Sequence, residues 1–101
     1  MSKVQQHSRR SQMAVDAYNV LAEMGIPLHT DFIAKLVYHR RGINLDKHPW
    51  WSEEYKKLTK QVRDAIYAHS ELFENQGTPG VYFLTGKRPN IRSYDTITEV
   101  P

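Results

Sequence analysis

Apolar residues recur at helical spacing in three separate stretches of the chain. In the first stretch they leave only a narrow polar stripe up to residue 24, which predicts a mostly buried helix capped by Ser8 or Ser11 and ended by Gly25. A second helix of roughly 10 residues is predicted to begin at a Thr30 cap and to stop at Gly42.

The third stretch has the clearest period. Ser52 is the predicted cap, and two glutamates follow it in the first turn, where they suit the positive end of the helix dipole. The face predicted to be buried consists of Tyr55, Leu58, Thr59, Val62, Ala65, Ile66 and His69. Two short strand-like runs, Leu72 to Asn75 and Val81 to Leu84, flank a turn rich in Gly and Pro and predict a hairpin.

Three helices followed by a hairpin are the order of elements in a winged helix-turn-helix protein. The sequence therefore predicts a mainly helical α+β fold of this type over residues 11–85. Residues 1–10 are expected to form a flexible basic arm, and residues 86–101 an irregular tail with a short extended piece at Tyr94 to Thr98. The aperiodic loop from Ile43 to Trp51 is expected to bury one of its two tryptophans and expose the other.

Several segments resemble the HARE-HTH domain family. They are Ala17 to Leu21, Gly25 to His29 with its Pro-Leu-His end, Ile33-Ala34, Val62 to Ile66, Leu72-Phe73 and Gly80 to Leu84, within roughly residues 12 to 85. The resemblance implies a winged helix. Family members occur in additional-sex-combs-like chromatin proteins, in restriction endonucleases and in the delta subunit of bacterial RNA polymerase. Most are thought to bind DNA, whereas the polymerase member acts through a protein contact. The segment from Lys47 to Trp51 departs from the family pattern as an insertion with two tryptophans.

Composition narrows the possible functions. A chain of 101 residues has room for a single domain, and the absence of cysteine excludes disulfides, thiolate catalysis and cysteine-bound zinc. No apolar run reaches the roughly 20 residues that cross a bilayer, and the first residues lack a signal peptide pattern, so an intracellular protein of the cytoplasm or nucleoid is expected. The net charge of +3 favours polyanionic partners.

The positive charges cluster on the predicted exposed side of the third helix. Lys56, Lys57, Lys60 and Arg63 share this side, and no acid lies between the first and last of them. This bias predicts contacts with double-stranded DNA in its major groove, although a solvated helix face or a protein contact gives the same pattern. Further candidate DNA contacts are Gln61 and Tyr67 on this helix, Arg9 and Arg10 in the arm, and Lys87 and Arg88 after the hairpin.

No catalytic constellation or cofactor motif is visible. The five histidines lack metal-ligand spacing, so neither a metal nor a cofactor is expected. The leading hypothesis is a non-enzymatic DNA-binding regulator of bacterial or phage type. The alternative is an interaction module that acts on a polymerase, restriction or other host complex through Trp50 or Trp51 and the acidic stripe of the first helix. The sequence leaves the oligomeric state open.

Overall fold

A computed structural model describes residues 2–89 of the chain and the side chains of residues 12–89. The elements in order are α1 (Ser2–Met24), β1 (Leu28–His29), α2 (Thr30–Arg40), a 3-10 turn (Leu45–Lys47), α3 (Glu53–Ala68), β2 (Phe73–Asn75) and β3 (Val81–Leu84). The three helices and the small antiparallel sheet form a mainly helical α+β winged helix. The predicted fold class is confirmed. The extended piece expected at Tyr94 to Thr98 lies outside the described residues.

Helix α1 is longer than the sequence pattern predicts. It begins at Ser2, so the expected start at Ser8 or Ser11 is wrong, and the helix includes most of the segment assigned to a separate arm. No glycine or proline precedes Gly25, so nothing in the sequence interrupts the helical hydrogen bonds. Gly25 ends the helix as expected, with a φ of 70° and its N–H donating to the Leu21 carbonyl at 2.9 Å.

Helix α2 is capped by His29 rather than by Thr30. The imidazole Nδ1 of His29 accepts a hydrogen bond from the Asp31 N–H at 3.1 Å, and the His29 backbone is extended, with φ −70° and ψ 147°. Thr30 is already the first residue of α2 and is buried, so its hydroxyl does not serve as the cap. The sequence does not predict this cap, because the two-residue strand β1, which gives His29 its extended backbone, has no signal in the local pattern.

The three strands pair in the order β1-β3-β2, with both pairs antiparallel. The predicted hairpin is confirmed as β2 and β3, and the register sets Phe73 opposite Leu84. Strand β1 adds Leu28 opposite Tyr82, and the Thr30 N–H donates to the Gly80 carbonyl at 2.9 Å. The hairpin, which is the wing of this fold, is therefore attached directly to the start of α2.

The core lies mainly between the three helices and includes Leu45 from the 3-10 turn, which is 2% exposed. Asn44 caps the 3-10 turn by accepting the Asp46 N–H at 3.0 Å, and this turn directs Leu45 inward. The prediction that one tryptophan is buried is wrong, because Trp50 and Trp51 are 73% and 62% exposed. From this loop Leu45, rather than an indole, joins the core.

Two acids of α1 form ion pairs with arginines at the end of α2. Arg40 Nη2 lies 2.6 Å from Glu23 Oε2, and the Arg41 guanidinium pairs with Asp16. Arg41 also lies over the Tyr38 ring, with its Cζ 5.8 Å from the ring centroid. The acidic stripe that motivated a protein contact is therefore largely occupied by these ion pairs within the chain.

Candidate nucleic-acid interface

Helix α3 has one buried face and one exposed face, as its period predicts. Ser52 is its cap, and the Ser52 hydroxyl accepts the Tyr55 N–H at 3.2 Å. The buried residues are Leu58, Thr59, Val62, Ala65 and Ile66. Apolar packing fixes this face against α1 and α2, and Lys56, Lys57 and Lys60, which lie outside it, are exposed.

The predicted cations on the exposed face have different surroundings. Lys56, Lys57 and Lys60 are exposed, whereas Arg63 is half-buried. Lys60 is paired one turn along, with its Nζ 2.7 Å from Asp64 Oδ2. Within residues 12–89, Lys56, Lys57 and Arg63 form no ion pair with an acid. The available positive charge therefore lies mainly at Lys56 and Lys57, in the first half of α3.

Gln61 is exposed, but its side chain is hydrogen-bonded to a buried tyrosine of α2. The Tyr38 hydroxyl lies 2.9 Å from Gln61 Oε1 and 3.1 Å from the Leu58 carbonyl, so its single proton is donated to one of the two. Burial raises the pKa of Tyr38 above its usual value, and the nearby Arg41 charge opposes this shift. Gln61 therefore links α3 to α2, a role that its place on the exposed face of a helical wheel does not reveal.

Tyr67 connects α3 to the wing through a contact between aromatic rings. Its ring centroid is 6.0 Å from that of Tyr82 in β3, and the planes are tilted by 55°. Burial is the main cause that raises the pKa of Tyr82, and the neighbouring Tyr67 raises it further. Tyr82 was not among the predicted contact residues. Its place as an aromatic residue in the strand next to the third helix could have indicated it. The two phenols form a small aromatic surface in the angle between helix and wing.

The wing tip is a tight turn without a cation. The Asn75 side chain organises it by accepting the Gly77 N–H at 2.9 Å and by donating to the Thr78 carbonyl at 3.1 Å. The Val81 N–H also donates to the Thr78 carbonyl at 3.1 Å. The tip therefore offers polar backbone groups, and any attraction to phosphates must come from elsewhere.

Lys87 and Arg88 are exposed just beyond β3. The preceding Thr85 is tied to the turn after α3, since its N–H donates to the Leu72 carbonyl at 3.1 Å and its hydroxyl donates to the Glu71 carbonyl at 2.6 Å. These two cations therefore lie near the carboxyl end of α3, whereas the lysine pair lies near the amino end. The side chains of Arg9 and Arg10 lie outside the described residues.

Comparisons with models of protein families, with curated proteins and with solved structures find no match for this chain. The resemblance to HARE-HTH domains stays a prediction. In residues 2–89, none of the helices combines the length and hydrophobicity needed to span a membrane. The same part of the chain contains no group of three histidine or acidic side chains placed to hold a metal ion.

Proposed function

We propose that this protein is a non-enzymatic DNA-binding winged-helix regulator that places α3 in the major groove of a duplex. The observation that carries the proposal is the exposure of Lys56 and Lys57 on α3 without an acidic partner among the described residues. In proteins of helix-turn-helix type, the corresponding helix enters the major groove. The resemblance to HARE-HTH domains favours the same partner, and DNA binding implies a cytoplasmic or nucleoid location.

The charges indicate how such a complex is held. A lysine without a carboxylate partner releases condensed counterions when it reaches a phosphate, and this release supplies much of the affinity of basic proteins for DNA. Lys60 contributes less in this account, since its pairing with Asp64 competes with a phosphate. Tyr67 and Tyr82 add hydroxyl donors beside the wing. Lys87 and Arg88 supply charge at the other end of α3.

Binding of a fluorescent duplex by anisotropy tests the proposal. The variant K56A/K57A removes two unpaired cations, and the matched control K35A/R40A removes two cations that are paired with Asp46 and Glu23. Both lose the same charge, and neither removes a buried group. We expect the α3 variant to weaken binding to every duplex sequence alike, as loss of phosphate contacts does, and the control to bind almost as the parent does.

Equal weakening by the two variants would contradict the placement of α3, because it would show a response to total charge alone. Unchanged melting temperatures in both variants are needed for the comparison, and they are expected because the replaced side chains are at the surface.

A second candidate function is that of a protein-interaction module on a transcription or restriction complex. The observation that favours it is the exposure of both tryptophans, since indoles are frequent anchors of protein interfaces. A partner retained from lysate after complete nuclease digestion, and lost when Trp50 and Trp51 are replaced by serine, would support this function over DNA binding.

A further inference from the structure

Trp50 and Trp51 occupy the two central positions of a tight turn. The Ser52 N–H donates to the Pro49 carbonyl at 2.9 Å and closes this turn, which we name the Trp turn (Pro49 to Ser52). The two indoles are 73% and 62% exposed. Large aromatic side chains side by side at the surface are unusual in a small protein, because each leaves apolar area in water.

The Trp turn is joined firmly to α3. The Ser52 hydroxyl caps the helix through the Tyr55 N–H at 3.2 Å, and the Ser52 carbonyl accepts the Lys56 N–H at 3.1 Å. The turn therefore runs into the helix without a flexible joint. The indoles do not belong to the core, since both are exposed and Leu45 is the part of this loop that packs there. Their position at the start of the proposed recognition helix thus needs another explanation.

The charges next to the Trp turn favour bases over phosphates at this position. Glu53 and Glu54 fill the first turn of α3 and repel a phosphate there. Cations without an ion pair among residues 12–89 lie on either side of these acids and the indoles: Lys47 comes three positions before Trp50, and Lys56 and Lys57 come five and six positions after Trp51. A strand whose phosphates are held by these lysines would therefore present its bases, rather than its backbone, to Trp50 and Trp51.

An indole gains most from a base whose face is free. Inside a duplex each base face is covered by its neighbour, whereas unpaired bases stack readily on aromatic side chains. We propose that the Trp turn binds unpaired DNA bases next to the duplex held by α3, so that the preferred ligand is a duplex with a single-stranded extension. This inference rests on the proposed DNA-binding function and names the form of DNA that the same surface takes.

The experiment uses the protein's own fluorescence. The chain contains two tryptophans, and both lie in the Trp turn, so the emission reports on this site alone. The probes are a blunt duplex, the same duplex with a short unpaired extension at either end of either strand, and the free single strand. We expect the extended duplex to bind about 10-fold more tightly than the blunt one for each stacked base and to quench the emission.

Two variants separate stacking from structure. In W50S/W51S the preference for the extended duplex should disappear, while binding to the blunt duplex and the melting temperature stay near those of the parent. In W50F/W51F most of the preference should remain, because phenyl rings also stack on bases. K56A/K57A should weaken binding to both duplexes, since it removes phosphate contacts rather than base contacts.

The outcomes distinguish this inference from the function on which it rests. Equal affinity for blunt and extended duplexes, with unchanged emission, overturns the base-stacking inference and leaves duplex binding intact. Absence of binding to all three DNA probes overturns both. Tight binding to the free single strand with no gain from an attached duplex also overturns it, because the Trp turn would then act without α3. A protein partner whose binding needs the indoles counts against it as well.

Discussion

Replacement of Gly80 by alanine tests whether the wing packs against His29, the cap of α2. Gly80 has a φ of 80°, and a Cβ at this position would lie 2.6 Å from Nε2 of His29. Gly77, in the same turn, has a φ of 87° but open space around the position of a Cβ. The pair G80A and G77A therefore differs mainly in the contact with the histidine.

The expected magnitudes follow from these two features. A left-handed backbone costs an alanine about 1–2 kcal/mol, and this penalty applies to both variants. In G80A the imidazole must also move, which loosens its hydrogen bond with the Asp31 N–H and removes a helix cap worth about 0.5–2 kcal/mol. We expect G77A to lose about 1 kcal/mol of unfolding free energy and G80A roughly 2–3 kcal/mol.

Urea unfolding followed by circular dichroism measures both losses. The double variant H29A/G80A supplies the decisive control, because removal of the imidazole removes the clash. In the H29A background, G80A should cost no more than G77A does in the parent. Equal losses for G80A and G77A in the parent, or an unchanged cost of G80A in the H29A background, would refute the reasoning.

Three further predictions concern the core and the ion pairs. Burial raises the pKa of Tyr38, so the native state binds the phenol proton more tightly than the unfolded state does. The free energy of unfolding should therefore fall as the pH rises above about 10, and it should fall less steeply in Y38F. Urea unfolding at a series of pH values measures both slopes. Leu45→Ala should lower the unfolding free energy by about 2–5 kcal/mol, whereas Trp51→Ser should change it by less than about 0.5 kcal/mol, and the reverse order would contradict the assignment of the core. Asp16→Asn should cost less than about 1 kcal/mol, and the loss should shrink in high salt; a loss independent of salt would speak against an ion pair with Arg41.

The sequence predicts α3 well because several independent signals agree there. The apolar period, the Ser52 cap and the glutamates of the first turn all specify the same helix. The structure buries five of the seven residues predicted for its inner face, whereas Tyr55 and His69 are half-buried. The hairpin is also predictable, since two short apolar runs flank a turn rich in Gly and Pro. These signals are local, so they can be read without knowing which elements meet.

Features that depend on distant contacts are not predictable in this way. Strand β1 has two residues, and it exists because β3 pairs with it from more than 50 positions along the chain. Leu45, and neither tryptophan, is a core residue because it lies in a 3-10 turn capped by Asn44. The pattern of hydrophobic residues does not predict this turn. The bond between Gln61 and Tyr38 likewise requires that α2 and α3 be packed together.

The same limit applies to the candidate site. The sequence places four cations on one side of α3 but does not distinguish those that are free from those that are occupied. The structure pairs Lys60 with Asp64, half-buries Arg63 and leaves Lys56 and Lys57 exposed. Side-chain pairing within a helix is weak, so the spacing of acids and lysines alone does not decide which charges reach a ligand.

The central claim, that Lys56 and Lys57 contact DNA phosphates, is tested most directly by the salt dependence of duplex binding. The logarithm of the affinity falls linearly with the logarithm of salt concentration, with a slope of about 0.9 for each neutralised phosphate. The account predicts that K56A/K57A reduces this slope by about 1.8, while K35A/R40A leaves it nearly unchanged. An unchanged slope in K56A/K57A, or an equal reduction in the two variants, would contradict it.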